Sequence, residues 1–134
     1  FHNGGRWMKI ARLLALGCAM AVALPVAQAS AQRVSRIDGN RLGSMCTKPA
    51  STGLCDAYIS GIADSVTLAH LFERNAEKDS KDVPAFCIAT SVDTADLRGK
   101  VVSWMKAHRD GLNRPAGEVV FTALHDSYPC GDGK

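Results

Sequence analysis

Four cysteines, Cys46, Cys55, Cys87 and Cys130, are the residues of this chain whose chemistry their spacing restricts most. A structural zinc site calls for C-x-x-C pairs or matching histidine spacing. A redox pair calls for C-x-x-C, and a haem attachment for C-x-x-C-H. None of these spacings occurs among the four. Their remaining common chemistry is cross-linking, which persists only in an oxidising compartment. His70, His108 and His125 could each partner a nucleophile, but no G-x-S-x-G or similar turn accompanies them. Each reads as a surface or helix-end residue, with His108 opposing a helix carboxyl-terminal dipole. No catalytic, metal-binding or cofactor-binding set emerges, so the chain reads as a non-enzyme.

The compartment is written near the amino terminus. Met8, Lys9 and Arg12 open a basic stretch, and the run 13–27 that follows carries no charge. It ends in two overlapping small-x-small sites, Ala27-Gln28-Ala29 and Ala29-Ser30-Ala31. A basic start, an apolar run of about 15 residues and an A-x-A site make a signal peptide. The run falls short of the ~20 residues that cross a bilayer as a helix. Residues 8–31 are thus expected to be a Sec leader, cleaved near Ala29 or Ala31, with a periplasmic product. Gly17-Cys18 raises a lipoprotein alternative, but Ala15 stands where leucine is usual and the apolar run continues past Cys18. Residues 1–7 precede the first methionine and read as an over-extended start or a cloning remnant.

Residues 32–134 then form one domain of a size that buries only about two-thirds of its unfolded surface, so cross-links would matter. The whole chain has 16 Lys+Arg against 13 Asp+Glu, but Arg6, Lys9 and Arg12 lie ahead of the cleavage site. The secreted part is formally neutral and carries no basic block. That excludes the electrostatic footprint of a nucleic-acid binder and a polybasic membrane anchor after leader cleavage. A protein or small-ligand partner remains, and a homodimer is left open.

Periodicity predicts four helices and no strand, an all-α bundle. The first covers 38–46, with Leu42, Met45 and Cys46 on one side. The second starts at a Ser51 or Thr52 cap and runs to about 74, with Leu54, Tyr58, Ile62 and Val66 as its apolar stripe, flanked by Cys55, Ile59 and Ala69. Within it, Gly61 suggests either close helix approach or simple tolerance, and Asp64 either a surface charge or a buried packing residue. Residues 75–85 read as an exposed polar loop. The third helix has Asp93 as its cap, Asp96 at N3 and a Val92–Leu97 staple. Its face is Leu97, Val101, Trp104, Met105 and His108, with Trp104 a core or interface anchor, and Arg109-Asp110-Gly111 stops it. The fourth begins with Pro115 in its first turn, buries Ala116, Val119, Val120, Ala123, Leu124 and Tyr128, and stops at Pro129.

These elements choose among the three possible cysteine pairings. Cys46 closes the first helix and Cys55 opens the second across a tight turn. A short loop makes the third and fourth helices antiparallel, which brings Cys87 beside Cys130. Cys46–Cys55 and Cys87–Cys130 are predicted. In the chain-entropy model, loops of these lengths contribute about 2.5 and 4 kcal/mol.

Cys46, the block Cys55-x-x-Tyr58-Ile59-x-Gly61-Ile62-x-Asp64, Cys87 ahead of a capped helix, and the terminal Tyr128-Pro129-Cys130 together resemble the Rap/Tai immunity-protein family. The resemblance covers nearly all of residues 32–134. It implies a periplasmic protein that binds and blocks a secreted peptidoglycan amidase, an effector of a type VI secretion system, for toxin neutralisation. It also carries the disulfide roles onto the same four cysteines. The chain departs from the family pattern at Cys87-Ile88-Ala89, where proline is usual after isoleucine, and at Arg109-Asp110-Gly111, where the family tends to have proline. Both departures fall in loops, which bears on the partner more than on the fold. The alternative reading is a small helical periplasmic stress protein, an acid chaperone or holdase, but balanced charge and three histidines make a weak acid trigger. Loops on a rigid scaffold are where binding residues gather. Segments 73–82 and 109–114 look too polar to serve the core, so Arg74, Lys78, Arg109 and Arg114 are the expected polar anchors for the amidase.

Overall fold

Asp38 turns an extended entry segment into the first helix by accepting a hydrogen bond at Oδ1 from the Arg41 amide, at 2.8 Å. The computed structural model describes residues 34–76 and 82–131. The expected leader, residues 1–7 and Lys78 lie outside the described residues. Helix α1 spans Gly39–Thr47 and buries Gly39, Leu42 and Cys46. Its first two amides are satisfied from far along the chain: Gly39 donates to the Arg114 carbonyl and Asn40 to the Leu112 carbonyl, both at 3.0 Å. Helix amino termini leave such donors open, and here another loop closes them.

The approach needs glycine. A Cβ at Gly39 would lie 2.9 Å from the Leu112 carbonyl oxygen and 3.0 Å from the Leu112 Cα. Neither is a flexible side-chain end that could swing away. Gly39→Ala should therefore cost about 1–3 kcal/mol by overpacking, although alanine is the better helix former. Urea denaturation would check this, and an unchanged midpoint would mean that the loop shifts freely.

A short 3-10 turn, Pro49–Ser51, leads into α2, Thr52–Ala76. Cys46 and Cys55 are bonded across it with Cα atoms 5.0 Å apart. At 25 residues, α2 is the longest element among the described residues. Its buried line is Cys55, Ile59 and Ala63, with Tyr58, Ile62 and Val66 partly buried beside it. The expected stripe was displaced: Leu54 is 64% exposed and Ala69 is exposed. The disulfide holds Cys55 toward α1, and a neighbouring residue then points about 100° away. Core contact fades after Val66, leaving Leu68, Leu71 and Phe72 exposed. A Cβ at Gly61 would meet nothing within 4 Å, so no close approach among the described residues explains that glycine. Asp64 is exposed and is a surface charge.

Helix α3 spans Thr94–Ala107 and is capped as predicted, the Asp96 amide donating to Asp93 Oδ1 at 2.8 Å. It buries Leu97, Val101 and Met105. Arg98 Nη1 lies 2.6 Å from both Asp56 carboxylate oxygens and ties α3 to the start of α2. A 3-10 turn, Arg109–Gly111, precedes α4, Ala116–Ser127. Pro115 is the residue before α4 rather than part of its first turn. Ala116, Val119, Val120, Ala123 and Leu124 are buried as expected, and Tyr128 is packed against them in part.

Helices α3 and α4 are neighbours, and Cys87 is bonded to Cys130 with Cα atoms 4.8 Å apart. Around that link the Cys87 amide donates to the Tyr128 carbonyl at 2.9 Å, and buried Phe86 meets Phe121 edge-on at 5.9 Å. The fold is an all-α bundle of four helices with two disulfides, and no strand occurs among the described residues.

Candidate partner-binding surface

The loop between α3 and α4 is held at both ends. His108, the residue that follows α3, stacks on Trp104 with ring centroids 4.0 Å apart. Its Nδ1 lies 2.8 Å from the Trp104 carbonyl oxygen. A carbonyl only accepts, so Nδ1 carries the proton. The Trp104 indole N–H donates to Asp126 at 2.8 Å, joining α3 to α4. At the far end the Ala116 amide donates to the Ile37 carbonyl at 2.9 Å. The segment expected to be too polar to serve the core proves to contain a core residue: Leu112 is buried under α1. A leucine on the inner side of a polar loop anchors it, and its polar neighbours face outward.

Arg109 is exposed and lines a groove of about 420 Å³ between α1 and α3, with Asn40, Ser44, Thr47 and Lys106. Arg114 pairs with Glu118 one turn along, so its charge is shared within the loop and the start of α4. Arg74 is exposed in the last turn of α2. The expected anchors among the described residues thus divide between two elements: Arg109 and Arg114 on one pinned loop, Arg74 in the last turn of α2. A second groove, of about 330 Å³, lies between α2 and α4 and is lined by Val34, Ile62, Val66 and Phe121 among others. Sequence reasoning did not find it. The available signal was Phe121, a large apolar residue off the buried stripe of its helix.

The remaining polar candidates have structural work. His125 Nδ1 donates to the Ala85 carbonyl at 2.5 Å and pins the segment before Cys87. His70 is half-buried on α2. The Tyr128 hydroxyl is buried with no hydrogen-bond partner among the described residues. Its pKa is raised first by burial and then by the carboxylates of Asp96 and Asp93. Among the described residues, no three His, Cys, Asp or Glu side chains form a group that could hold a metal ion. No helix among them is long and apolar enough to cross a membrane.

What this architecture offers is a surface: pinned loops and grooves on a disulfide-stapled helical scaffold, which is the equipment of a small protein-binding protein. The family model of the Rap1a immunity proteins matches residues 38–130, from the cap of α1 to the last disulfide cysteine. The chain belongs to that family, and it is accordingly an immunity protein directed against a secreted effector. No curated protein and no solved structure matches it.

Proposed function

We propose that this immunity protein binds and blocks a peptidoglycan amidase delivered by a type VI secretion system, and that it does so in the periplasm after the leader over 8–31 is removed. The observation that carries the reading is the family match over 38–130, which takes in both disulfides and the loop that bears Arg109 and Arg114. The mechanism is steric occlusion. Two cross-links and the Leu112 anchor lower the ordering cost of presenting the loop, and a rigid loop filling a cleft excludes substrate without chemistry of its own. Arg74, Lys78, Arg109 and Arg114 supply the polar contacts.

Co-expression with candidate amidases, followed by pull-down and a cell-wall hydrolysis assay, tests the reading. Reversing Arg109 and Arg114 together to glutamate should raise the inhibition constant of the cognate amidase at least about tenfold, or ~1.4 kcal/mol. Helical circular dichroism should stay the same, because both side chains are exposed. The cost to folding is a few tenths of a kcal/mol from the lost Arg114–Glu118 pair. Full inhibition by a variant altered at all four positions would show that the effector grips another face.

A further inference from the structure

Helix α1 breaks two local rules, and packing among the described residues explains neither. Arg41 stands in its first turn, where the helix dipole favours an acid. No acidic residue occurs in α1, although a glutamate at this position would complete a capping box with Asp38. Gly43 stands inside the helix, where glycine is weaker than alanine. A Cβ there would meet only the Met105 sulfur, at 3.9 Å, an ordinary contact. The fold thus has room for alanine. Local rules broken without a structural gain are expected at functional sites.

Both residues border grooves. Gly43 lines the groove between α1 and α3, whose floor is the buried pair Met105 and Leu112 and whose rim carries Lys106 and Arg109. Arg41 and Lys48 line another groove, also about 420 Å³, on the side of α1 toward Ser51. Ser44 belongs to both, so the two make one continuous surface across α1. Its four cations are exposed, and none of them forms an ion pair among the described residues. No carboxylate lines either groove. Asp38 and Asp110, the nearest acids in sequence, lie outside both linings, and Asp38 is engaged in capping α1. Since residues 32–134 are formally neutral, this surface reflects segregation of charge and not a general excess.

We propose that the effector lays an acidic peptide segment across this surface. Lys106 and Arg109 hold one carboxylate, an apolar neighbour in the segment rests on Met105 and Leu112, and Arg41 and Lys48 receive a second carboxylate. The apolar floor selects a peptide over a bare anion, which has nothing to place there. Gly43 keeps the groove open above Met105, and that use accounts for a glycine the helix does not want. The surface adjoins the loop at Arg109, so it extends the grip already described to partner chemistry. Cations set against acids across an interface steer encounter and select the partner more than they add affinity. The inference rests on the immunity reading and does not need the effector to be an amidase.

The test uses the protein purified from the periplasm and two probes, acetyl-Leu-Glu-Leu-amide and its glutamine counterpart. The glutamate peptide should shift the amide resonances of Ser44, Met105 and Lys106, with a dissociation constant in the millimolar range and at least about tenfold tighter than the glutamine peptide. Arg41→Glu and Lys106→Glu should each weaken binding of the captured effector at least about tenfold, whereas Lys100→Glu, the same charge change on α3 outside the groove, should not. Gly43→Ala should raise the melting temperature and weaken both probe and effector, a combination that damage to the fold cannot produce. Association with the effector should slow at least about tenfold between ~50 and ~500 mM NaCl. Equal binding of the two peptides would overturn the proposal. Full effector affinity in an Arg41→Glu, Lys106→Glu double variant would overturn it as well, while leaving the immunity reading intact. Vesicles of phosphatidylglycerol that shift the same resonances more tightly than the glutamate peptide would assign the surface to a lipid headgroup instead. A captured effector that is no amidase but loses affinity in these variants would keep the proposal and sink the amidase reading alone.

Discussion

Replacing Cys87 and Cys130 together by serine should lower the free energy of unfolding by about 4 kcal/mol. The link closes a segment of 43 residues, and the entropy it removes from the unfolded chain grows with that length. The same replacement at Cys46 and Cys55, 9 residues apart, should cost about 2.5 kcal/mol. Small domains have a total of ~5–15 kcal/mol, so the larger loss removes a large share of what such a domain has. The link also holds the segment before α3 against α4, where the Cys87–Tyr128 backbone bond, the His125–Ala85 bond and the Phe86–Phe121 contact join them as well. Equilibrium urea denaturation without reductant would measure both losses. A loss under ~1 kcal/mol for the Cys87 and Cys130 variant would mean that the unfolded chain is already constrained. His125→Ala removes one hydrogen bond, worth about 1 kcal/mol, away from the Arg109 loop, and should leave effector binding intact. Loss of effector binding by a folded histidine variant would tell against a purely steric binder.

Leu42→Ala should cost about 3–5 kcal/mol, the range for a fully buried leucine whose cavity cannot collapse. Leu42 has no exposed surface, and α1 has only nine residues, with Leu42 and Cys46 as its buried side chains beyond Gly39. The consequence for function is indirect. Amides of α1 hold the carbonyls of Leu112 and Arg114, so loosening α1 releases the loop that carries Arg109 and Arg114. The variant should therefore lose both thermal stability and affinity for the effector, while Arg109→Glu loses affinity alone. Thermal melts paired with titration calorimetry separate the two patterns. Leu42→Ala with full affinity at a temperature where it remains folded would break the connection between α1 and the loop.

Local chemistry made much of this readable in advance. Asp93 and Asp96 mark the start of α3 because a capping side chain needs only its own first turn. The apolar steps of α4 from Ala116 to Leu124 map directly onto burial, since that helix has one well-defined core face. The disulfide pairs follow from short connections: one spans a tight turn, the other the paired ends of antiparallel neighbours. The family resemblance rests on the same short-range blocks, which is why it survived.

What needed the tertiary structure was rotation and long-range fit. Helix α2 carries apolar residues on two faces, and periodicity cannot say which faces inward; the bond from Cys55 to Cys46 does, and it turned Leu54 out and Ala63 in. Leu112 reads as part of a polar loop until α1 is seen to lie over it, and the need for glycine at position 39 shows only when Leu112 is found within 3 Å of its missing side chain. The groove at Val34 and Phe121 joins residues 87 positions apart. Sequence alone determined which elements form and where they start, because those are decided within a few turns of chain, and how the cysteines pair, because short connections fix which helix ends meet. Which faces are buried and which remain for a partner was decided only when the four helices closed on each other, since burial belongs to pairs of surfaces and not to residues.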